Sequence, residues 1–215
     1  MSQANLIGPF TTNQDGSHPQ APRGWHSRGY LPHFDGGPTP QSITFRLFDS
    51  LPVKLLDEWS EELDRMPPNQ AKQRRYEWIE KYLDRGMGSA WLKIAEVAKV
   101  VEDTILHFDA DRYQLHAWVI MPNHVHLLLT PTDGQPLSTI LQVVKTFSAR
   151  NANSILGRRG SFWRPDYFDR LIRDERHFYT AHDYIENNPV KAGLCERPED
   201  WVFGSARGRE TVVRT

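Results

Sequence analysis

YQLHAWVIMPNHVHLLLT, residues 113–130, decides the fold. Both halves are rich in β-branched, aromatic and aliphatic residues, and Pro122-Asn123 separates them with turn chemistry. The stretch predicts an antiparallel hairpin, with one strand over Tyr113 to Met121 and its partner over His124 to Thr130. Side chains alternate along a strand, so His124 and His126 share a face. The apolar run Leu127-Leu128-Leu129 buries the sheet around them, and two neighbouring buried imidazoles require a reason.

Outward from the hairpin, apolar spacing supplies the other elements. Ile43, Phe45 and Leu47 alternate against Thr44 and Arg46, which predicts a strand over Gln41 to Asp49. Pro52 opens a helix to about Met66, and Pro67-Pro68 stops it. Ala71 to Arg85 reads as a polar helix and Trp91 to His107 as a strongly amphipathic one. Leu137 to Leu156 is a helix that turns Leu137, Ile140, Leu141, Val144 and Phe147 inward. Phe168 to Arg173 is a strand, and Glu175 to Asn188 a helix ended by Pro189 and Gly193. The order β-α-α-α-β-β-α-β-α predicts the α+β class, with helices packed on one face of an antiparallel sheet. Residues 1–40, rich in Pro, Gly, Ser and Gln, read as a flexible or surface-wrapping tail, docked in part by Trp25, Tyr30 and Phe34. Residues 41–207 form the main domain with a helical insertion at about 52–107, and 208–215 a C-terminal tail.

The chain has 215 residues, a formal net charge of -1 and one cysteine, Cys195. One cysteine excludes an intrachain disulfide, and no apolar run is long enough for a membrane span; a cytoplasmic location is the expectation. The near-zero charge argues against a generally basic nucleic-acid binder. The basic residues are nevertheless gathered late, with Arg150, Arg158, Arg159, Arg164, Arg170, Arg173 and Arg176 following Lys145, whereas acids cluster over Asp57 to Asp64. Such asymmetry fits a local anionic partner or a solvated surface.

A His-x-His pair on a strand grips one divalent ion and leaves most of its coordination sphere open. Tyr184 and Asn188 lie one helical turn apart, so an amide oxygen and a phenol can reach one point. Each segment also has a plain reading: a satisfied core histidine, a core aromatic, a polar helix end. FWRPDYFDR, residues 162–170, interleaves aromatics with charge, as base-stacking surfaces and packed loops both do. Lys145 and Ser148 face either a phosphate backbone or water.

Taken together, MPNHVHLLL, Lys145-Thr146-Phe147, FWRPDYFDR, HDYIENNPVKAGL and the closing WVFGSA resemble the REP-associated tyrosine transposases, within the HUH single-strand transposases. The resemblance spans roughly residues 41–207. It implies a ferredoxin-like or RRM-like sheet, metal ligation by His124, His126 and Asn188, and Tyr184 as the catalytic nucleophile. It implies magnesium or manganese as cofactor. The partner implied is single-stranded DNA carrying hairpins of palindromic repeats, nicked and rejoined through a 5′-phosphotyrosine by a monomer or homodimer. Lys145, Ser148, Arg150, Arg158, Arg159, Trp163, Arg164 and Arg170 are the expected DNA contacts. The N-terminal tail and the acidic segment 52–85 exceed the minimal unit. The competing reading is a hairpin-binding module without catalysis. A histidine-triad hydrolase lacks its third histidine, since Leu128 stands there, and a structural zinc domain lacks a cysteine cluster, with Asn a poor zinc ligand.

Overall fold

The structure is a computed structural model that describes residues 24–27 and 32–207. Its centre is a four-stranded antiparallel sheet of β3 (Gln41–Arg46), β4 (Tyr113–Ile120), β5 (His124–Pro131) and β6 (Phe168–Leu171), in the order β4-β5-β3-β6. Antiparallel β4 and β5 need only the turn at Pro122-Asn123, closed by Met121 N–H donating to His124 C=O at 2.9 Å. β3 enters between β5 and β6, pairing Thr44 with His126 and Arg46 with His124. That register puts Thr44 beside the paired histidines.

α3 (Ala95–His107) and α4 (Leu137–Ile155) cover one sheet face, as expected. Val97, Val101, Ile105, Ile140, Leu141 and Val144 pack there on Ile43, Phe45, Val125, Leu127 and Leu129. The opposite face is also covered, which the expectation of helices on one face omitted. α5 (Glu175–Glu186) lays Phe178 and Ile185 on Ala117, Val119, Met121 and Leu128. Alternation along β5 demands this: Leu128 is as fully buried as Leu127 and Leu129 and points the other way.

The first crossover carries the insertion α1 (Val53–Leu63) and α2 (Pro68–Asp84), with their own small core around Leu51, Ile79 and Leu83. After α2 the chain must turn sharply. A Cβ on Gly88 (φ +78°) would stand 2.5 Å from the Ser50 carbonyl oxygen, so only glycine fits there. The amphipathic run from Trp91 splits into a 3-10 turn, Trp91–Lys93, and α3.

Two local expectations are corrected. Phe147 is 56% exposed; the inward row of α4 continues through Ser148 and Ala152 instead. The segment before Gln41 holds a hairpin, β1 (Gly24–Ser27) with β2 (Pro32–Asp35), rather than only tail. Tyr30 and residues 208–215 lie outside the described residues, as does the side chain of Trp25.

The hairpin is pinned through buried His33, whose Nδ1 is 2.6 Å from Asp169 and whose Nε2 is 3.2 Å from Asp166. Phe34 N–H donates to Asp169 at 2.8 Å. Burial pulls the His33 pKa down, but the two carboxylates outweigh it and push it up to about 9. The unfolded imidazole titrates near roughly 6.5. The ion pair's contribution to stability is therefore complete below that value and fades as pH rises through about 9. Urea denaturation should show His33→Gln less stable than wild type at mildly acidic pH, with the gap closing in alkali. A gap independent of pH would refute the pairing.

Candidate active site

His124 and His126 are both buried and face each other, Nε2 to Nε2 at 2.9 Å. Each Nδ1 has a partner of its own. His124 Nδ1–H donates to Asn123 Oδ1 at 2.6 Å, and His126 Nδ1 meets Thr44 Oγ1 at 2.8 Å. Thr44 in turn donates to Glu80 at 3.4 Å, so Thr44 accepts from His126. Both Nε2 atoms then present lone pairs to the same point. Burial holds both imidazole pKa values down; His126 adds to the lowering of His124, while for His126 the Glu80 charge opposes the effect of burial. Neutral rings with opposed lone pairs repel unless a cation lies between them. That donor arrangement suits a metal ion.

The third expected ligand arrives from the end of α5. Pro189 has no N–H to give Ile185, so the helix breaks at Asn187 and resumes as the short α6 (Asn188–Lys191). Asn188 is fully buried at the break, with its side-chain nitrogen 3.3 Å from His126 Nε2. Its Oδ1 has no hydrogen-bond partner among the described residues. Rotating the amide puts that oxygen toward the imidazole pair.

Tyr184, one turn before Asn188, sets its ring edge-on to His126 with centroids 5.7 Å apart. Its hydroxyl donates to Glu80 of α2. Burial and the neighbouring Glu80 charge raise its pKa well above the ordinary phenol value. Lys191 Nζ lies over the ring, 4.2 Å from its centre. The phenol and the histidines belong to the same chain.

Sequence reasoning read α2 as a polar helix and gave it no part in the site. Glu80 sits between Tyr184 and Thr44, 3.8 Å from His126 Nδ1, and Asp84 Oδ1 lies 3.8 Å from His124 Nε2. Burial and Glu80 push the Asp84 pKa up to about 6. Asn123 was missed too. Its amide nitrogen donates to Leu83 C=O at 3.3 Å and Met87 C=O at 3.0 Å, tying the end of α2 to the histidine strand. A residue between a turn proline and a histidine gave one signal, its turn chemistry, and that pointed elsewhere.

A cavity of about 680 Å³ opens between α2 and α5, lined by Tyr76, Glu80, Asp84, Arg170, Tyr184 and Lys191. Of the eight expected DNA contacts, Arg170 alone lines it. The Arg170 guanidinium also donates to Gln73 at 3.0 Å and lies over the Tyr76 ring. Arg150 and Arg159 are exposed. Arg158 is half-buried, over the Trp91 ring, and Arg164 lies over Phe48. Lys145 donates to the carbonyls of Arg164 (2.6 Å) and Pro165 (2.8 Å); desolvation lowers its pKa to about 8. Two expectations fail: Ser148 and Trp163 are buried in the core, where the indole N–H donates to the hydroxyl at 2.9 Å. The aromatic-charged stretch there is packing, with Trp163 edge-on to Phe45 and Phe162.

Residues 89–188 match the family model described as "Transposase IS200 like". The REP-associated tyrosine transposase of Escherichia coli strain K12 is 27% identical over 110 residues, 50% of this chain and 63% of that protein. A Haemophilus influenzae protein described as "Putative REP-associated tyrosine transposase" is 29% identical over 122 residues, 52% of this chain and 68% of its own length. The chain thus aligns with less than two thirds of the Escherichia coli relative. A solved REP-associated tyrosine transposase bound to a REP hairpin has a TM-score of 0.49 and 19% identity, over 83% of this chain and 80% of that one. No helix among the described residues is long and apolar enough to cross a membrane.

Proposed function

We propose that this chain, which resembles the REP-associated tyrosine transposases and matches the IS200-like transposase family over residues 89–188, is a metal-dependent single-strand DNA nickase and strand transferase. The observation that carries this reading is convergence. An amide from α6 lies 3.3 Å from His126, and a phenol from α5 sets its ring against the same imidazole. Residues more than fifty positions apart meet beside one cavity, whereas a hairpin-binding module has no need of the tyrosine there.

His124, His126 and Asn188 would hold the divalent ion, magnesium or manganese. When bound, that ion supplies Lewis-acid polarisation of the scissile phosphate. Tyr184 Oη attacks phosphorus. The new bond to the tyrosine forms as the bond to the 3′ oxygen breaks, leaving a 5′-phosphotyrosine and a free 3′ hydroxyl. Attack by a 3′ hydroxyl on that linkage reverses the step and joins strands. The phenol does not ionise unaided at neutral pH, because burial and Glu80 oppose the phenolate. Its proton already points at the Glu80 carboxylate, which is placed to take it as the attack proceeds. Arg170, on the cavity wall, pairs with a backbone phosphate. Arg150, Arg158, Arg159 and Arg164 add weaker contacts outside the cavity. One chain supplies nucleophile and ligands together, so a monomer suffices. The substrate class is single-stranded DNA flanking a hairpin of repeat type. The catalytic unit is residues 41–207.

The test is a labelled hairpin with single-stranded flanks, incubated with the full chain and manganese. The expected result is a nick on one flank, abolished by a chelator. Hairpin binding with no nick under any divalent ion would favour the silent binding module.

A further inference from the structure

The paired histidines and Asn188 give a divalent ion three neutral ligands. Magnesium and manganese are hard or borderline cations that favour oxygen, and protein sites for magnesium include one or two carboxylates. No carboxylate comes from β5, α5 or α6 to that point. One comes from the acidic insertion instead.

Resting on the metal-dependent reading above, we infer that α2 supplies Asp84 as a fourth protein ligand, so the insertion is part of the metal centre. Asp84 Oδ1 is buried without a hydrogen-bond partner among the described residues, as is Asn188 Oδ1. Two orphaned oxygens beside two opposed ring nitrogens are what a shared cation would satisfy. One ligand atom each from Asp84, His124 and His126 already lie within 4.8 Å of one another. The approach is fixed by covalent neighbours. Asn123, adjacent to His124, donates to the carbonyls of Leu83 and Met87, on either side of Asp84.

Glu80 provides the contrast. It stands one turn earlier on the same face of α2, yet its oxygens already accept from Thr44 and from Tyr184. Asp84 is therefore the ligand and Glu80 the holder of the nucleophile. The ion then joins three segments: the histidine strand, the α5–α6 break and the insertion helix.

The experiment is manganese titration of the full chain, read by the loss of the free-ion electron paramagnetic resonance signal. Wild type, Asp84→Asn, His126→Ala and the exposed α1 control Glu62→Gln are compared. Asp84→Asn should weaken manganese binding at least about tenfold, and Glu62→Gln should leave it unchanged. A second arm is independent of how well that variant folds. Cobalt added to Asp84→Cys should give the ultraviolet thiolate-to-cobalt charge-transfer band, absent from wild type. Unchanged manganese affinity in Asp84→Asn, or no such band, overturns the inference while His126→Ala still loses the ion. If wild type itself binds no manganese, the metal-dependent reading fails with it.

Discussion

Replacing His126 with alanine should abolish manganese-induced stabilisation and lower nicking at least about a hundredfold. The imidazole joins three of the site's segments: its Nε2 faces His124 and Asn188, and its Nδ1 meets Thr44. A ligand that binds only the folded chain stabilises it by about 2.7 kcal/mol at a hundred times its dissociation constant. Thermal unfolding with and without manganese reads this directly. Wild type should melt higher with the ion, and the variant should melt at one temperature in both conditions. In the chelated state the variant should remain folded, because the core clusters on both sheet faces do not include either histidine. A variant that still responds to manganese would mean the ion binds elsewhere.

The second large effect is Tyr184→Phe. Losing the nucleophilic oxygen should remove the covalent protein–DNA adduct altogether and slow nicking at least about 10⁴-fold. Hairpin binding and manganese binding should persist, since phenylalanine keeps the ring beside His126 and under Lys191. Stability should fall by about 1–3 kcal/mol, because Glu80 loses its phenolic donor while staying buried. Adduct formation by Tyr184→Phe would move the chemistry to another hydroxyl.

The parts of the site that could be read from sequence are those with short-range geometry. His124-Val125-His126 had to share a face once β5 was a strand, and Tyr184 and Asn188 had to lie a turn apart. The register between Thr44 and His126 was not legible, because it depends on β3 entering between β5 and β6. Glu80 and Asp84 were hidden for a similar reason. On a polar helix they look like solvated charge, and only the packing of α2 over the sheet gives them a role. FWRPDYFDR misled in the other direction: its composition suits base stacking, but Phe162 and Trp163 fill the core and Ser148 is spent on the indole. Arg170, from the same stretch, does reach the cavity. The helix break at Pro189 was legible; that it drives Asn188 inward was not.

The most direct test of the whole account is to trap the adduct between the full chain and a hairpin oligonucleotide in manganese, digest it, and map the modified residue by mass spectrometry. Two tyrosines, Tyr76 and Tyr184, line the same cavity, so the assay has a built-in competitor. The account predicts a 5′-phosphate linked to Tyr184 alone. Linkage at Tyr76, or nicking with no protein-linked product, would contradict it.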